Sequence, residues 1–360
     1  MNVNHIVFLL PNSGSRPVGG VKIVLDYANR LVDDGFVVDV VYSAFSPFNI
    51  WDIKHRLVYM LQFLVWSVSR SWLPRWMHVD SRVRQRLVWS HGHFRYPHDA
   101  KFIATSVDTA VELNKYKIPD YNKYYFIQGF ENWFVSSDFV YQTYHYPMKK
   151  IVVSQWLKDV VESCGEKASV VFNGFDFHKF HMTIPPRKRD KFQIAFMYHT
   201  DKRKGIDTAF KAFFLVARRH PMVHLAVFGA MLPNRKFPVK ATFSHSPNDR
   251  KFLDLYNTSS IYVGASETEG WGLTIGEAMQ CGCAVACTDN KGYLEMAHDG
   301  ATALVSHVGD AEALADNICR LIENDELRND IALRGNEYIQ QFDIEKSYDK
   351  FKHILQRQAD

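Results

Sequence analysis

The chain has 360 residues, of which 47% are hydrophobic and 23% charged, and its formal net charge is +4. This length predicts two domains of ordinary size, and the composition is typical of a folded soluble protein rather than a disordered one. A charge this small, with no recognisable binding motif, argues against nucleic acid as a partner.

The cysteines indicate the compartment. The chain has five, an odd number without the spacing of a disulfide framework, which favours a reducing cytosol. Cys281, Cys283 and Cys287 lie close together, but no matching pair of His or Cys follows at zinc-finger spacing, so we expect no metal site. The N-terminal run lacks the marks of a signal peptide, and no apolar stretch reaches the ~18 residues that a membrane span requires. The sequence therefore predicts a cytoplasmic protein.

The first three elements predict a βαβ unit. Residues 5–10 form an apolar run typical of a buried strand, residues 21–33 show helical spacing, and residues 36–42 predict a second strand. Residues 12–20 form a glycine-rich loop. This loop has glycine where a P-loop requires lysine, and it lacks the G-x-G-x-x-G of dinucleotide-binding proteins, so we reject both functions.

Residues 44–100 break this alternation of strands and helices. They contain eight Lys and Arg against three Asp and Glu, and five of the eight tryptophans in the chain. The basic and aromatic side chains are interleaved at Trp66, Arg70, Trp72, Arg75, Trp76, Arg82, Arg84, Arg86 and Trp89. This combination favours contact with anionic lipid, which we expect at residues 51–95. The alternative is a helical subdomain with a solvated basic face.

The alternation resumes after residue 100. Strands are predicted at residues 101–105, 124–127, 150–154, 192–197 and 223–229, and a linker rich in Pro and basic residues at 181–191. A helix is predicted at residues 155–163 and another one ends at Arg219. The turn before that second helix contains three adjacent cations, Lys202, Arg203 and Lys204. They would neutralise a diphosphate, and the alternative is a solvated basic turn.

Residues 260–287 predict a strand, a glycine loop, a helix and a second strand. We expect Thr274 as the N-cap and a helix from Ile275 to Gln280, with Glu277 in its first turn. A glycine loop that opens a helix presents backbone N–H groups and the positive end of a dipole, which favours a phosphate. Glu269 and Glu277 flank this loop and could accept hydrogen bonds from vicinal sugar hydroxyls. The alternative is that Glu277 only complements the dipole and Glu269 is an ordinary loop residue. Three more helices are predicted at 310–324, 326–342 and 344–355.

Residues 269–286, E-G-W-G-L-T-I-G-E-A-M-Q-C-G-C-A-V-A, resemble the E-x7-E segment of the retaining, family-four type glycosyltransferases of GT-B fold. The resemblance continues through residues 288–295 and then through residues 298–300. Lys204-Gly205 matches the family's Lys-Gly, and residues 173–180 resemble the N-G-x-D-x-x-x-F signature that ends its N-terminal domain. The departures are Lys291 for a glycine, His199 for an arginine, and Gln128 and Glu131 where many relatives have a histidine-containing loop.

This resemblance implies an α/β protein with two Rossmann-like domains that face each other across a cleft. The acceptor-side domain would span residues 1–180 and include the segment 44–100. After the linker at 181–191, the nucleotide-sugar-binding domain would span residues 192–342. Residues 343–360 would form a helix that returns to the N-terminal domain.

The resemblance also implies roles for single residues. Glu269 and Lys204 would be catalytic, with Lys204 and Arg203 at the diphosphate and Glu269 at the hydroxyls of the donor sugar. Glu277 would hold the ribose, and Gln128 and Glu131 would lie on the acceptor side. The other donor-binding residues would be Gly270, Trp271, Gly272, Leu273, Thr274, His199, Gly19 and Gly20, the last two being a tight turn in the alternative interpretation.

We therefore expect a retaining glycosyltransferase that moves a hexose or deoxyhexose from a nucleotide-diphosphate sugar to a glycan or polyprenyl-linked acceptor, in bacterial surface polysaccharide synthesis. No Asp-x-Asp triplet occurs in the sequence, so we expect no cofactor and no metal, with cations and a helix dipole in the metal's place. We expect the enzyme to be cytoplasmic and peripheral on the inner face of the cell membrane. The alternatives are a sugar-nucleotide epimerase of the same fold and a non-catalytic partner subunit.

Overall fold

The computed structural model describes residues 5–11, 15–46, 48, 53–97 and 99–357. Residues 12–14 of the predicted glycine loop, and residues 51 and 52 of the predicted membrane-contacting segment, lie outside this part. The chain divides into two compact units: unit 1 comprises Met1–Phe172 and Ser347–Asp360, and unit 2 comprises Asn173–Lys346.

Unit 1 is built on a parallel sheet. Its strands, within the described residues, are β1 (His5–Leu10), β2 (Val37–Ser43), β3 (Arg84–Val88), β4 (Lys101–Ala104), β5 (Lys123–Ile127), β6 (Lys149–Val152) and β7 (Ala168–Val170). They are ordered β3-β2-β1-β4-β5-β6-β7, so the strand order reverses between β1 and β4. The helices that precede residue 172 are α1 (Gly19–Asp33), α2 (Ile53–Ser69), α3 (Val107–Asn114), α4 (Ser137–Tyr144) and α5 (Gln155–Ser163). The predicted βαβ unit at the N-terminus corresponds to β1, α1 and β2.

Unit 2 is also a parallel α/β unit. Its strands are β8 (Asp190–Met197), β9 (His224–Gly229), β10 (Lys240–His245), β11 (Ser259–Gly264), β12 (Ala284–Thr288) and β13 (Leu304–Ser306). Its helices are α6 (Ile206–Arg219), α7 (Asp249–Thr258), α8 (Leu273–Gln280), α9 (Ala311–Glu323) and α10 (Asp325–Ile339). The strand order is β10-β9-β8-β11-β12-β13, with the reversal between β8 and β11. Apolar side chains of α6 and α9 cover one face of this sheet and form the core.

The last helix, α11 (Ile344–Gln356), carries the chain from unit 2 back to unit 1. The ring of Phe351 packs 4.7 Å from that of Tyr27 in α1, and Nζ of Lys352 lies 2.8 Å from Oδ2 of Asp34. The return of the last helix to the N-terminal domain is therefore confirmed.

The predicted linker at residues 181–191 packs into unit 2. The guanidinium of Arg189 is buried and donates to the backbone carbonyls of Tyr256 and Ser259 at 3.2 and 3.0 Å. The amide oxygen of Asn257 accepts from the backbone N–H of Thr183 at 2.6 Å. These bonds fix the segment, and unit 2 accordingly begins before it.

Several side chains expected to face lipid contact other residues of unit 1, and the burial of Trp72 corrects the prediction at that residue, while Arg82 and Arg86 remain about half exposed. Trp72 is buried against Tyr42, with the ring centroids 5.1 Å apart, and Trp89 stacks on Phe45. Arg82 forms ion pairs with Asp33 and Asp80. Arg86 Nε donates to the buried carboxylate of Asp39 at 2.6 Å.

The exposed part of the segment is helix α2. Seven of its large apolar side chains are at least half exposed, namely Leu57, Val58, Met60, Leu61, Leu64, Val65 and Val68, which we call the α2 apolar face. Within the described residues, no helix is both long and apolar enough to cross a bilayer.

Candidate functional site

The predicted donor-binding residues lie at the reversal of strand order in unit 2. The loop after β8 contains His199 and Lys204, and the loop after the neighbouring strand β11 contains Glu269. In open parallel sheets, ligands bind outside the carboxyl ends of the strands at this point. The topology therefore brings together residues that are far apart in the sequence.

Lys204 and Glu269 form an ion pair across these two loops. Nζ of Lys204 lies 2.7 Å from Oε1 of Glu269, and the Ser266 hydroxyl donates to the same oxygen at 2.8 Å. The side chains of the pair are 25% and 16% exposed, so both groups are within reach of a ligand while largely shielded from water. The structure thus brings together the two residues expected to be catalytic.

Gly205 allows the two loops to approach each other. Its φ of 64° is left-handed, and a Cβ there would lie 1.8 Å from the backbone oxygen of Ala265. The backbone N–H of Glu267 donates to the Arg203 carbonyl at 2.7 Å and joins the loops next to this contact. Glycine is therefore required beside Lys204 for both its backbone angle and its lack of a side chain.

The state of His199 follows from its contacts. Its Nδ1 accepts a hydrogen bond from the backbone N–H of Asp201 at 2.9 Å, so in the neutral ring Nε2 carries the proton. Burial, and then the charge of Lys204, lower the pKa of His199 below its usual value. His199 is therefore a neutral hydrogen-bond donor at neutral pH.

Arg203 and Lys204 differ in how their charges are used. Arg203 Nε donates to Oδ1 of Asp201 at 3.0 Å, and this contact lowers the pKa of the Asp201 carboxyl. The Arg203 charge is thus compensated within its own turn. Lys204 instead reaches across to the loop after β11.

The predicted N-cap at Thr274 is wrong. Helix α8 begins at Leu273, and its N-cap is Gly272, which has a φ of 112°. Glycine is required there because a Cβ would lie 2.6 Å from Cδ1 of Tyr293. Thr274 is the second residue of the helix, and its side chain bonds to Tyr262.

The early start of α8 also moves Glu277 out of the first turn, contrary to the prediction. Since the dipole effect falls off within the first turn, complementing it explains Glu277 poorly. The carboxylate is only 8% exposed, and the hydroxyl of Tyr256 donates to its Oε2 at 3.3 Å. A buried carboxylate held in this way is suited to bind hydroxyl groups of a ligand.

Trp271 faces the interior of unit 2. Its ring stacks against Phe175 at 6.4 Å and meets Phe342 edge-on at 5.0 Å. The side chain is 2% exposed, so it anchors the glycine loop. In the stretch from Gly270 to Thr274, we expect mainly backbone atoms to contact a ligand.

In unit 1 the structure brings two of the predicted residues together. Gly20, in the first turn of α1, lies beside Gln128, since a Cβ on Gly20 would lie 3.1 Å from Nε2 of Gln128. Gly19 is the first residue of that helix. The Oε2 of Glu131 accepts from the backbone N–H of Val107 at 2.7 Å and fixes the start of α3.

The sequence interpretation missed three residues that support the glutamates. Ser266 binds Glu269 as described, and Tyr293 donates to the Ser266 hydroxyl at 3.1 Å. Tyr256 is the partner of Glu277. Ser266 directly follows a predicted strand, which could have marked it, whereas the tyrosines carry no local signal.

One group of side chains in the described ranges has ligand atoms close enough together for a metal ion, and its residues belong to other elements than these loops. The ligand atoms of His220, Cys319 and Glu323 are within 4.8 Å of one another. His220 Nε2 already lies 2.8 Å from Glu323 Oε1, and the Arg219 guanidinium bonds to the thiol of Cys319. That adjacent cation opposes metal binding.

Comparison of sequences identifies a family in the second half of the chain. Residues 178–338 match the family described as glycosyl transferases group 1. A curated relative, the capsular polysaccharide biosynthesis glycosyltransferase CapM of Staphylococcus aureus, is 24% identical over 183 residues, which are 47% of this chain and 48% of CapM. The chain thus spans about half the length of this relative.

Solved structures resemble the whole chain. Sucrose-phosphate synthase from Thermosynechococcus elongatus superposes with a TM-score of 0.73 over 97% of this chain and 98% of that one, at 14% identity. HepE from Anabaena, in complex with UDP-glucose, gives a TM-score of 0.69 at 17% identity and covers 98% of this chain and 99% of its own. The predicted α/β fold class, with two GT-B-like Rossmann domains, is therefore confirmed.

Proposed function

We propose that the protein is a retaining glycosyltransferase using a nucleotide-diphosphate sugar, and the match of residues 178–338 to the glycosyl transferases group 1 supports this. The observation that carries this proposal is the Lys204–Glu269 pair, 2.7 Å apart at the carboxyl ends of β8 and β11. The pair supplies a cation for a leaving diphosphate and a carboxylate for sugar hydroxyls. It occupies the position where open α/β sheets bind ligands.

Each donor contact follows from the chemistry of the side chain. Lys204 and the Nε2–H of His199 would hold the diphosphate. Glu277, buried beside Tyr256, would accept from the ribose hydroxyls. Backbone N–H groups at the start of α8 would meet the phosphate next to the positive end of the helix.

The transfer step needs no metal in this proposal. The bond between the sugar and the diphosphate breaks, the acceptor oxygen attacks from the same face, and the acceptor proton goes to the leaving phosphate. Lys204 and the end of α8 would stabilise the charge that develops on that phosphate. Full turnover after treatment with EDTA is the expected outcome, and loss of turnover with rescue by Mg²⁺ would contradict metal independence.

We further propose that the donated sugar is a hexose or deoxyhexose and that the acceptor is a glycan or polyprenyl-linked glycan of a bacterial surface polysaccharide. The name of CapM supports the polysaccharide, and the exposed apolar face of α2 supports a cytoplasmic enzyme peripheral on the membrane. Gln128, which lies beside Gly20, is the proposed acceptor contact of unit 1.

The test is a thermal-shift screen against UDP, GDP, dTDP, ADP and CMP without metal. UDP is the first probe because HepE was solved with UDP-glucose. A ligand at about 100 times its dissociation constant should add about 2.7 kcal/mol to the free energy of unfolding. The shift should be largely lost in Lys204→Ala and kept in Lys211→Ala, a matched change at an exposed lysine of helix α6.

A protein that no nucleoside diphosphate stabilises would contradict the donor site and favour a non-catalytic subunit. If one nucleotide binds, its sugar nucleotide is then incubated with and without a lipid extract. Transfer to lipid supports the proposed reaction. Conversion of the sugar nucleotide without an acceptor would instead identify an epimerase.

A further inference from the structure

Helix α2 presents an apolar surface to solvent. The seven side chains of the α2 apolar face are between 50% and 89% exposed. Leu57, Leu61, Leu64 and Val68 recur every three or four residues, and at about 3.6 residues per turn they fall on one side of the helix. Ordinary monomeric proteins rarely expose a contiguous apolar patch of this kind, so the patch indicates an interaction site.

The opposite side of α2 is fixed to unit 1. The ring of Tyr59 meets Phe45 edge-on at 5.7 Å, and that of Phe63 meets Trp89 edge-on at 5.9 Å. Phe45 and Trp89 stack on each other at 5.3 Å. The helix therefore lies along the body of unit 1 and cannot turn to bury its apolar face without breaking this aromatic cluster.

The charges around α2 indicate what kind of partner binds its apolar face. Residues 53–79 contain no Asp or Glu, but they contain Lys54, Arg56, Arg70 and Arg75. Arg70 directly follows the last residue of the helix, Ser69, Arg75 lies in the segment after it, and both arginines are exposed. A second copy of the chain on the same face would bring like charges together, whereas anionic lipid would neutralise them.

We infer that α2 is an in-plane membrane helix that inserts its apolar face into the boundary between headgroups and acyl chains of an anionic bilayer. Arg70 and Arg75 contact the lipid phosphates at its carboxyl end. This deepens the proposed function, since it rests on an acceptor held at the membrane. The binding surface consists of aliphatic side chains, not of the tryptophans that the sequence suggested.

The test is flotation of the purified chain with vesicles of phosphatidylglycerol mixed with phosphatidylcholine, compared with phosphatidylcholine alone. The wild type should float with the anionic vesicles. The double change Leu61→Gln with Leu64→Gln should lower partitioning of the protein onto vesicles at least about tenfold, since each change replaces an aliphatic group inserted in the bilayer with a polar amide. Arg70→Gln with Arg75→Gln should lower it about fivefold per cation on anionic vesicles and leave neutral vesicles unaffected.

A matched control makes the same chemical change elsewhere. Met222 and Leu232 of unit 2 are 70% and 68% exposed, and Met222→Gln with Leu232→Gln should float as the wild type does. If wild type and the α2 variant partition equally, or if wild type dimerises through α2 without binding vesicles, the inference is overturned. The nucleotide shift is measured on the same samples: a wild type that binds nucleotide but not vesicles refutes the membrane helix alone.

Discussion

Lys204 and Glu269 are 65 residues apart in the sequence, yet Nζ and Oε1 of their side chains lie 2.7 Å apart. Ser266 holds the same carboxylate oxygen at 2.8 Å, so Glu269 stays oriented towards the lysine. A bound diphosphate would compete with this carboxylate for the ammonium group. Glu269 should therefore contribute little to ground-state binding of the nucleotide and much to the transfer step.

Glu269→Gln separates these two contributions. The variant should bind the nucleoside diphosphate as well as the wild type or more tightly, because the competing charge is gone. Its kcat should fall roughly 100-fold, since a neutral amide accepts weaker hydrogen bonds from the sugar and stabilises positive charge poorly. Isothermal titration with the nucleotide and single-turnover rates with the sugar nucleotide measure the two effects.

Glu267→Gln is the matched control, because Glu267 lies on the same loop with an exposed side chain. Glu267→Gln should change the dissociation constant of the nucleotide and kcat by less than twofold, which corresponds to about 0.4 kcal/mol. A Glu269→Gln variant with weaker nucleotide binding and unchanged kcat would contradict the assigned role.

Glu277→Gln tests contact with the ribose. A hydrogen bond to a charged group contributes about 1.5–3 kcal/mol, so the variant should bind the preferred nucleoside diphosphate roughly tenfold or more weakly. The 2′,3′-dideoxy form of that nucleotide has no hydroxyls to offer. Wild type and variant should bind this dideoxy nucleotide equally. If the variant instead binds both the normal and the dideoxy nucleotide more weakly by the same factor, Glu277 has a structural role and does not contact the ribose.

The alternation of apolar strands and helices was enough to predict two parallel α/β domains. Strand segments such as His5–Leu10 are read from local composition, and the position of Glu269 follows from its place after a strand. The loop contact at Gly205 could not be predicted, because it depends on the backbone oxygen of Ala265 in another loop. Long-range steric contacts of this kind leave no local pattern.

The predicted N-cap at Thr274 and the predicted first-turn position of Glu277 are wrong for the same reason: the backbone angle of a single glycine decides where the helix begins. Thr274 is a favourable capping residue, but the φ of 112° at Gly272 starts α8 earlier.

The basic and aromatic composition of residues 44–100 does not indicate which side chains face the interior and which face solvent. Trp72 turns inward against Tyr42, while the aliphatic side of α2 faces out.

Gly205→Ala tests the close approach of the two donor loops. Both Gly205 and Gly300 have left-handed backbones, with φ of 64° and 68°, so alanine at either should cost about 1 kcal/mol of unfolding free energy. Only at Gly205 would the Cβ also meet backbone, 1.8 Å from the Ala265 oxygen. Gly205→Ala should therefore be at least about 2 kcal/mol less stable than Gly300→Ala.

The thermal shift caused by nucleotide binding gives a second readout on these two variants. Gly300→Ala should keep it, because within the described residues nothing lies within 4 Å of a Cβ there. Gly205→Ala should lose it, since moving the Ala265 loop displaces Lys204 from Glu269. Equal stability and equal nucleotide binding in the two variants would contradict the tight contact.

His91 makes the stability of unit 1 depend on pH. The ring is buried, and its Nε2 lies 2.9 Å from the carbonyl oxygen of Leu10, to which it donates. Burial lowers the pKa of His91 from 6.5 to about 4. Between these values the unfolded chain binds a proton that the folded chain does not, so stability decreases as the pH falls through this window. The decrease should total about 3 kcal/mol, and it is absent above the unfolded pKa.

This decrease in stability is measured by urea unfolding, monitored by tryptophan fluorescence, at a series of pH values between 6.5 and 4. Seven of the eight tryptophans precede residue 172, so the signal reports chiefly on unit 1. His91→Gln lowers stability at every pH but should flatten the profile, because no titrating ring remains. His93→Gln, at an exposed histidine two residues away, should keep the wild-type slope. If His91→Gln retains the full slope, the acid sensitivity comes from other groups and the buried imidazole does not cause it.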